Sequence, residues 1–224
     1  MENLTLVIPA KNEKESLPLV LDELEKYKLK IIIVLERNDI DTINCLKGYN
    51  CEILYQNNKG YGDALIQGIK NVKTKYFCIF NADGSFNPIE LDGMYKKINS
   101  EGIDIIFASR YEKDCSSEDD TFITLIGNFI FTKIGNIFFS IQLTDILYTF
   151  LLGKTKSFES LDLRCNDFSL CVEIPIKANR AGMNLIDIPS HEIKRFAGEK
   201  KVNEFRDGFK ILLYMLKSFF RLVN

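Results

Sequence analysis

The sequence predicts an α/β fold: a mostly parallel sheet flanked by helices, with an amphipathic helix at the C-terminus. Three observations lead there. Short apolar runs alternate with helical patterns through the first half, as in parallel strands joined by right-handed crossovers. The runs are continuously apolar, as expected of strands buried on both faces. Each is followed by a polar loop, and open α/β sheets bind ligands beyond the carboxyl ends of their strands.

The first strand is Leu4 to Ile8, ending at Pro9 and followed by the polar loop Ala10-Lys11-Asn12-Glu13. Ser16 is placed to cap the next helix, with Pro18 in its first turn. Leu17, Val20, Leu21 and Leu24 give that helix one apolar face. Ile31 to Leu35 is the second strand, followed by Glu36-Arg37-Asn38-Asp39, and Ile53 to Tyr55 is a shorter third. A glycine-containing loop, Asn57 to Asp63, leads into a helix from Ala64 to Val72. Tyr76 to Phe80 is the fourth strand, followed by Asn81-Ala82-Asp83-Gly84-Ser85. Asn87 caps the next helix, which Pro88 opens and which turns Met94, Tyr95 and Ile98 inward. Ile103 to Ala108 is the fifth strand, ending in Ser109-Arg110-Tyr111.

This order gathers Glu13, Glu36, Lys59, Asp83 and Arg110 at one sheet edge. Asn81 and Asp83, two residues apart at a strand end, can point the same way. They either form a turn or hold a divalent cation against a ligand's phosphates, since hard cations take oxygen ligands. A dinucleotide site is the rival for the edge as a whole. However, the G-x-G-x-x-G that would follow the first strand is absent, and Gly60-Tyr61-Gly62 sits in the wrong unit.

Composition narrows the classes. A hydrophobic share of 46% with 27% charged residues is ordinary for a globular chain. A net charge of -2 argues against nucleic acid as a partner. The six cysteines lack paired metal-ligand spacing and read as reduced thiols of a cytosolic protein, with Cys78 and Cys171 in the core. His191 is the single histidine, which leaves little room for histidine metal sites or Ser-His triads. No leader pattern precedes the first strand.

In the second half, Thr121 to Leu143 is helical, with Phe122, Leu125, Ile126, Phe129, Ile130, Ile137, Phe138 and Ile141 on one broad face. A helix covering the core is expected there, with membrane contact as the alternative. Phe205 to Val223 is amphipathic: Phe205, Phe209, Leu212, Leu216 and Phe219 form an apolar stripe beside Arg206, Lys210, Lys217 and Arg221. That pattern suits a membrane interface; packing on the domain is the alternative for its first two turns. Arg195, Lys200 and Lys201 share a loop with Gly198, suited to phosphate or simply solvated.

Several segments together resemble the family 2 glycosyltransferases, which have the nucleotide-sugar-binding fold called GT-A. They are VIPAKNE (residues 7–13), NNKGYGDALIQGI (57–69), NADGSFNPIEL (81–91) and ASRY (108–111). TDILYTF (144–150), VEIPIKANRAGMNLIDIP (172–189) and RFAGEKKVNEFRDG (195–208) are similar to the polyprenyl-phosphate sugar synthases, the dolichol-phosphate mannose synthase group. Two positions depart from the family pattern. Asn81 stands where the metal motif has its first Asp, which should lower metal affinity. Leu35-Glu36-Arg37-Asn38 replaces a motif with two acidic residues.

The resemblance implies one domain over residues 1–224. Residues 1–111 would bind the nucleotide sugar and 112–224 the acceptor, with an interfacial helix over about 204–224. It implies inverting transfer from a nucleotide-sugar donor to a polyprenyl phosphate, assisted by Mg²⁺ or Mn²⁺ on Asn81 and Asp83. Pro9, Ala10, Asn12, Glu13, Glu36, Lys59, Gly60 and Ala82 would contribute to the donor site, and Arg110, Arg195 and Lys201 would bind phosphates. The enzyme would sit peripherally on the cytoplasmic face of the membrane through its last helix. Transfer to a saccharide hydroxyl would need a base, with Asp145 or Glu173 as the candidate. A degenerate nucleotide-sugar-binding protein is the non-catalytic reading.

Overall fold

A computed structural model describes residues 1–100, 102–112, 115–198 and 200–222. The first half runs β1 (Leu4–Pro9), α1 (Leu17–Glu25), β2 (Lys30–Leu35), α2 (Ile40–Cys45), β3 (Glu52–Tyr55), α3 (Tyr61–Lys70), β4 (Tyr76–Ile79), α4 (Glu90–Ser100) and β5 (Ile105–Ser109). The second half adds β6 (Ser116–Ser117), α5 (Phe122–Phe139), β7 (Leu151–Lys154), α6 (Thr155–Glu159), α7 (Leu170–Arg180), β8 (Leu185–Pro189), β9 (His191–Glu192) and α8 (Glu204–Phe219).

Seven strands form one sheet in the order β3-β2-β1-β4-β7-β5-β8. β1 pairs parallel with β2 and β4, and β5 pairs parallel with β8. β7 is antiparallel to both of its neighbours, β4 and β5. The sheet is therefore mostly parallel, and the carboxyl ends of β1, β2, β3, β4, β5 and β8 share one edge. Because β7 lies between β4 and β5, both halves of the chain build the same sheet. Successive residues feed opposite cores, as the pleat requires. Leu4, Leu6 and Ile8 pack with α1 and α4, whereas Val7, Ile32 and Val34 pack with α3 and α7.

Local details depart from the sequence reading. Ser16 stands at the N-cap of α1, but its hydroxyl makes no capping bond and donates to Glu13 Oε2 at 2.6 Å. Asn87 Oδ1 accepts from Ile89 N at 3.1 Å, and α4 proper begins at Glu90, beyond Pro88. The short helix α2 is capped by Asp39, inside the run read as a plain polar loop.

The largest correction concerns α5. It is a helix as expected, opened by a capping box between Thr121 and Thr124. Its buried residues, however, are Asn128, Thr132 and Gly135, while Phe122, Phe129 and Ile137 are 75%, 63% and 69% exposed. The helix stops at Phe139 rather than Leu143, and apart from Ile141, which lies beyond it and is buried, the apolar face expected to cover the core points away from it. Polar bonding explains the orientation. Asn128 Nδ2 donates to the buried Asp145 carboxylate, Thr132 Oγ1 donates to Asn128 Oδ1, and Ile146 N donates to Thr132 Oγ1. A side chain added at Gly135 would collide with Ile146, its Cβ 2.6 Å from Ile146 Cδ1.

α8 divides in the same way. Asp207, Ile211, Met215 and Ser218 are buried, and Phe205, Phe209, Leu216 and Phe219 are exposed. The helix ends at Phe219, and Val223, the last residue of the expected helix, lies with Asn224 outside the described residues.

Candidate active site

The turn after β4 sits at the shared carboxyl edge. Asp83 Oδ1 accepts from Ser85 N at 3.0 Å and from Ser85 Oγ at 2.8 Å, and Asn81 Nδ2 donates to Ser85 Oγ at 3.3 Å. Asp83 Oδ2 faces Arg195, with 3.8 Å to Nη1. Asp83 and Asn81 therefore do form a turn, and each still offers an oxygen. Ala82 between them is buried.

Residues 193–196 lie across this turn like a strap, and Lys200 and Lys201 follow in the same loop. Ile193 N donates to Ser85 O at 3.0 Å, and Phe196 N donates to Asp83 O at 2.8 Å. Gly84 has φ +85°, and a Cβ there would come within 2.4 Å of the Phe196 ring, so the strap packs where only glycine leaves room. Arg195 Nε donates to Asp119 Oδ1 at 3.1 Å, and a second donor reaches Asp119 Oδ2. Lys201 lies 3.6 Å from Glu13 Oε1, and Lys200 lies 3.4 Å from Glu204 Oε1. The cationic loop is thus pinned by carboxylates rather than merely solvated. Glu199, in the same loop, is outside the described residues.

The loop after β1 forms the next wall. Asn12 has φ +53°, and its N–H donates to Asp39 Oδ2 at 2.7 Å. Glu13 N donates to Thr42 Oγ1 at 3.0 Å, and Ala10 N donates to Val34 O. Glu36, at the end of β2, pairs with Lys11 at 2.8 Å. Glu13 is 7% exposed, and burial raises its carboxyl above the ordinary carboxylate range, with Ser16 and Lys201 pulling it partly back. Lys59 is exposed. Gly60 has φ +125°, and a Cβ there would fall 2.0 Å from Asn166 O, so the loop before α3 presses on residues 165–167.

Arg110, Asp145 and Glu173 are engaged in other ways. Arg110 Nε donates to Asp145 Oδ2 at 2.7 Å, Nη2 to Asp145 Oδ1 at 3.2 Å, and Nη1 to Asp120 and Glu192 at 3.1 and 3.2 Å. Burial opposes its charge, but Asp145 and the other two carboxylates outweigh that and hold it firmly protonated. Its plane also lies 4.5 Å from the Tyr148 ring. These donors are spent on protein carboxylates, which departs from the phosphate contact expected of Arg110.

Asp145 is 1% exposed, and its oxygens take Arg110, Asn128 and Tyr148 N. Glu173, also 1% exposed, accepts from Arg164 N and Cys165 N and pairs with Lys177 at 3.0 Å. Neither carboxylate presents an oxygen to a substrate, unlike the base role considered for them.

The sequence of the family called Glycosyl transferase family 2 matches residues 5–162, well over half of the chain. The chain is a family 2 glycosyltransferase. The transferase is 26% identical to an uncharacterised protein of Methanocaldococcus jannaschii, over 96% of this chain and 91% of that one. It is 24% identical to a UDP-N-acetylglucosamine–dolichyl-phosphate N-acetylglucosaminyltransferase of Methanococcus voltae, over 95% of each. It is 22% identical to the low-salt glycan biosynthesis hexosyltransferase Agl6 of Haloferax volcanii, of which it spans 53%. Among solved structures, glucosyl-3-phosphoglycerate synthase of Mycobacterium tuberculosis, in complex with Mn²⁺, UDP and glucosyl-3-phosphoglycerate, superposes with TM-score 0.75. It is 12% identical, over 97% of this chain and 80% of that one, and that likeness concerns the GT-A fold.

A divalent metal fits this transferase only as a shared ion. Among the described residues no group of three or more His, Cys, Asp or Glu could cage one. One carboxylate and one amide suit a hard cation whose remaining ligands are phosphate oxygens and water.

Several residues at the site gave no signal in the sequence. Asp119, Asp120 and Glu192 come from segments with no recognisable motif, and Phe196 is one residue of a longer segment, 195–208, that gives it no role of its own. Asp39 could have been found as a helix cap, being an N-cap residue type directly ahead of Ile40.

Two predictions follow from these environments. Asp145→Asn should cost about 1–3 kcal/mol of stability, because Arg110 keeps Asp120 and Glu192 but loses its closest carboxylate. A urea midpoint measures this, and an unchanged midpoint with lost turnover would instead indicate a base. For Glu13, a raised folded-state pKa means that the folded chain binds more protons, so stability is lost as pH rises from the unfolded to the folded value. Glu13→Gln should therefore melt higher than wild type at neutral pH, by a margin that vanishes below about pH 4.

Proposed function

We propose that this transferase moves a sugar, with inversion, from a nucleotide-sugar donor to a polyprenyl phosphate. The observation that carries this reading is the cationic strap laid over Asp83. Arg195 lies on Asp83 and Lys201 on Glu13, at the edge where a diphosphate and an anionic acceptor would meet, and charge-assisted bonds to phosphate are strong. Asp83 Oδ2 and the Asn81 amide oxygen would hold Mg²⁺ or Mn²⁺, which when bound offsets the charge building on the departing nucleoside diphosphate. Arg195 and Lys201 exchange their present carboxylate partners for phosphate oxygens. Pro9, Ala10, Asn12, Glu13 and Glu36 frame the nucleoside, with Lys59, Gly60 and Ala82 closing that side. Arg110, Asp145 and Glu173 act as scaffold.

A phosphate acceptor is already anionic and attacks without a strong base. The burial of Asp145 and Glu173 favours it over a saccharide hydroxyl. The Methanococcus voltae relative, named for a dolichyl-phosphate acceptor, supports the same choice. The exposed apolar stripe of α8 suits an enzyme working peripherally at the cytoplasmic face of a membrane. The phosphoglycerate bound to the structural neighbour gives the competing acceptor class, a small soluble phosphate.

Asp83→Ala should lower turnover at least about a hundredfold, as loss of a group stabilising transition-state charge does. With a radiolabelled donor and polyprenyl phosphate, the label should move into the organic phase for wild type. Label that stays aqueous with an added phosphorylated small acceptor would contradict the lipid reading. No transfer to any acceptor, with nucleotide binding intact, would contradict the enzymatic one.

A further inference from the structure

We infer that α5 and α8 form a single docking face seated on an anionic lipid bilayer, with α5 as its main element. This goes beyond an interfacial C-terminal helix, and it does not depend on the sugar-transfer reading. α5 exposes Phe122, Ile126, Phe129, Ile130, Ile137 and Phe138. α8, packed beside it, exposes Phe205, Phe209, Leu216, Phe219 and Phe220. The two sets are continuous. Phe138 and Phe219 meet edge to face at 5.4 Å while each remains about half exposed, and Phe219 meets Phe220 at 5.3 Å. A contiguous apolar surface shared by two helices, rimmed by polar residues, is the pattern of an interaction or membrane site.

Charge at the rim identifies the occupant. α5 contains no acidic residue. Lys133, Arg206, Lys217 and Arg221 are exposed around the face, and none has an ion-pair partner among the described residues. Anionic headgroups would neutralise this rim, each basic side chain near the surface adding about 1 kcal/mol. A second copy of the chain would instead bring the same basic rim against it.

The helix lies on the bilayer and does not cross it. α5 has 18 residues and a mean hydropathy high enough to span by length and composition. Its inner stripe, however, is tied to the domain through Asn128, Thr132 and Asn136, whose bonds to Asp145, Ile146 and Leu143 a crossing would break. Lipid can therefore reach only the outer face, the arrangement of an interfacial helix. The first turns of α5 and α8 are joined by Thr121 Oγ1 donating to Glu204 Oε1 at 3.0 Å, and Lys200 pairs with the same carboxylate. Docking on this face sets the cationic strap at headgroup depth, beside Asp83.

The test is flotation of the full chain with vesicles of phosphatidylcholine alone or mixed with phosphatidylglycerol, with no donor present. Wild type should float with the mixed vesicles and more weakly with phosphatidylcholine. Phe129→Ser with Ile137→Ser changes only exposed side chains and should weaken binding at least about tenfold, since each buried apolar side chain contributes roughly 1.5–3 kcal/mol. Its urea midpoint and its hydrolysis of donor in solution should stay at wild-type values. Lys133→Glu with Lys217→Glu should abolish the preference for phosphatidylglycerol. The inference is overturned if wild type floats with neither vesicle, or if the serine variant floats like wild type. It is equally overturned if wild type is a dimer that the serine variant dissolves while neither protein binds vesicles.

Discussion

Arg110 is withdrawn from water and shared by three carboxylates that arrive from separate parts of the chain. Asp120 precedes α5, Asp145 follows it, and Glu192 lies in β9, just ahead of the strap. A guanidinium buried in this way is tolerated only while its partners remain, because an uncompensated interior charge costs several kcal/mol. The cluster therefore fixes α5 and the root of the strap to the end of β5. Asn128 extends it by donating to Asp145, which in turn dictates the side of α5 that faces inward.

The arrangement of the site follows from that anchoring. With Glu192 held at Arg110, the residues after it run back over the turn that follows β4. Phe196 settles on Gly84 and Arg195 reaches Asp83. The corner that would receive a metal and a diphosphate already contains a cation from the protein itself. A motif with a single carboxylate, where its family uses two, is thus backed by basic side chains that suit the same anionic ligand. Burial at this edge acts on Glu13, whose carboxyl is raised by desolvation even beside Lys201.

Much of the fold was legible because buried parallel strands leave an unmistakable pattern of apolar runs and polar loops. Leu4–Pro9, Lys30–Leu35 and Tyr76–Ile79 all appear within a residue of their expected limits. β7 was not legible. Four residues including Gly153 and Lys154 carry no period, and only its neighbours β4 and β5 make it a strand. Periodicity showed that α5 has two faces, but the apolar one was expected to face inward; the inward side depends on Asp145, distant in sequence and buried. The same long-range bonding hid the positions of Asp145, Glu173 and Arg110. Their residue types suit catalysis, but their partners, Asn128, the Arg164 and Cys165 amides, Asp120 and Glu192, come from elsewhere in the chain.

In the proposed reaction, Asp83 and Asn81 share a divalent cation with a donor's diphosphate at the edge where β1, β2 and β4 end. The most direct measurement is an anomalous difference map from crystals grown with Mn²⁺ and a nucleoside diphosphate. The expected result is a manganese peak between the Asp83 carboxylate, the Asn81 amide oxygen and two phosphate oxygens. A nucleotide bound elsewhere, or manganese absent from that corner while the nucleotide is present, would rule out a cation shared by Asp83 and Asn81.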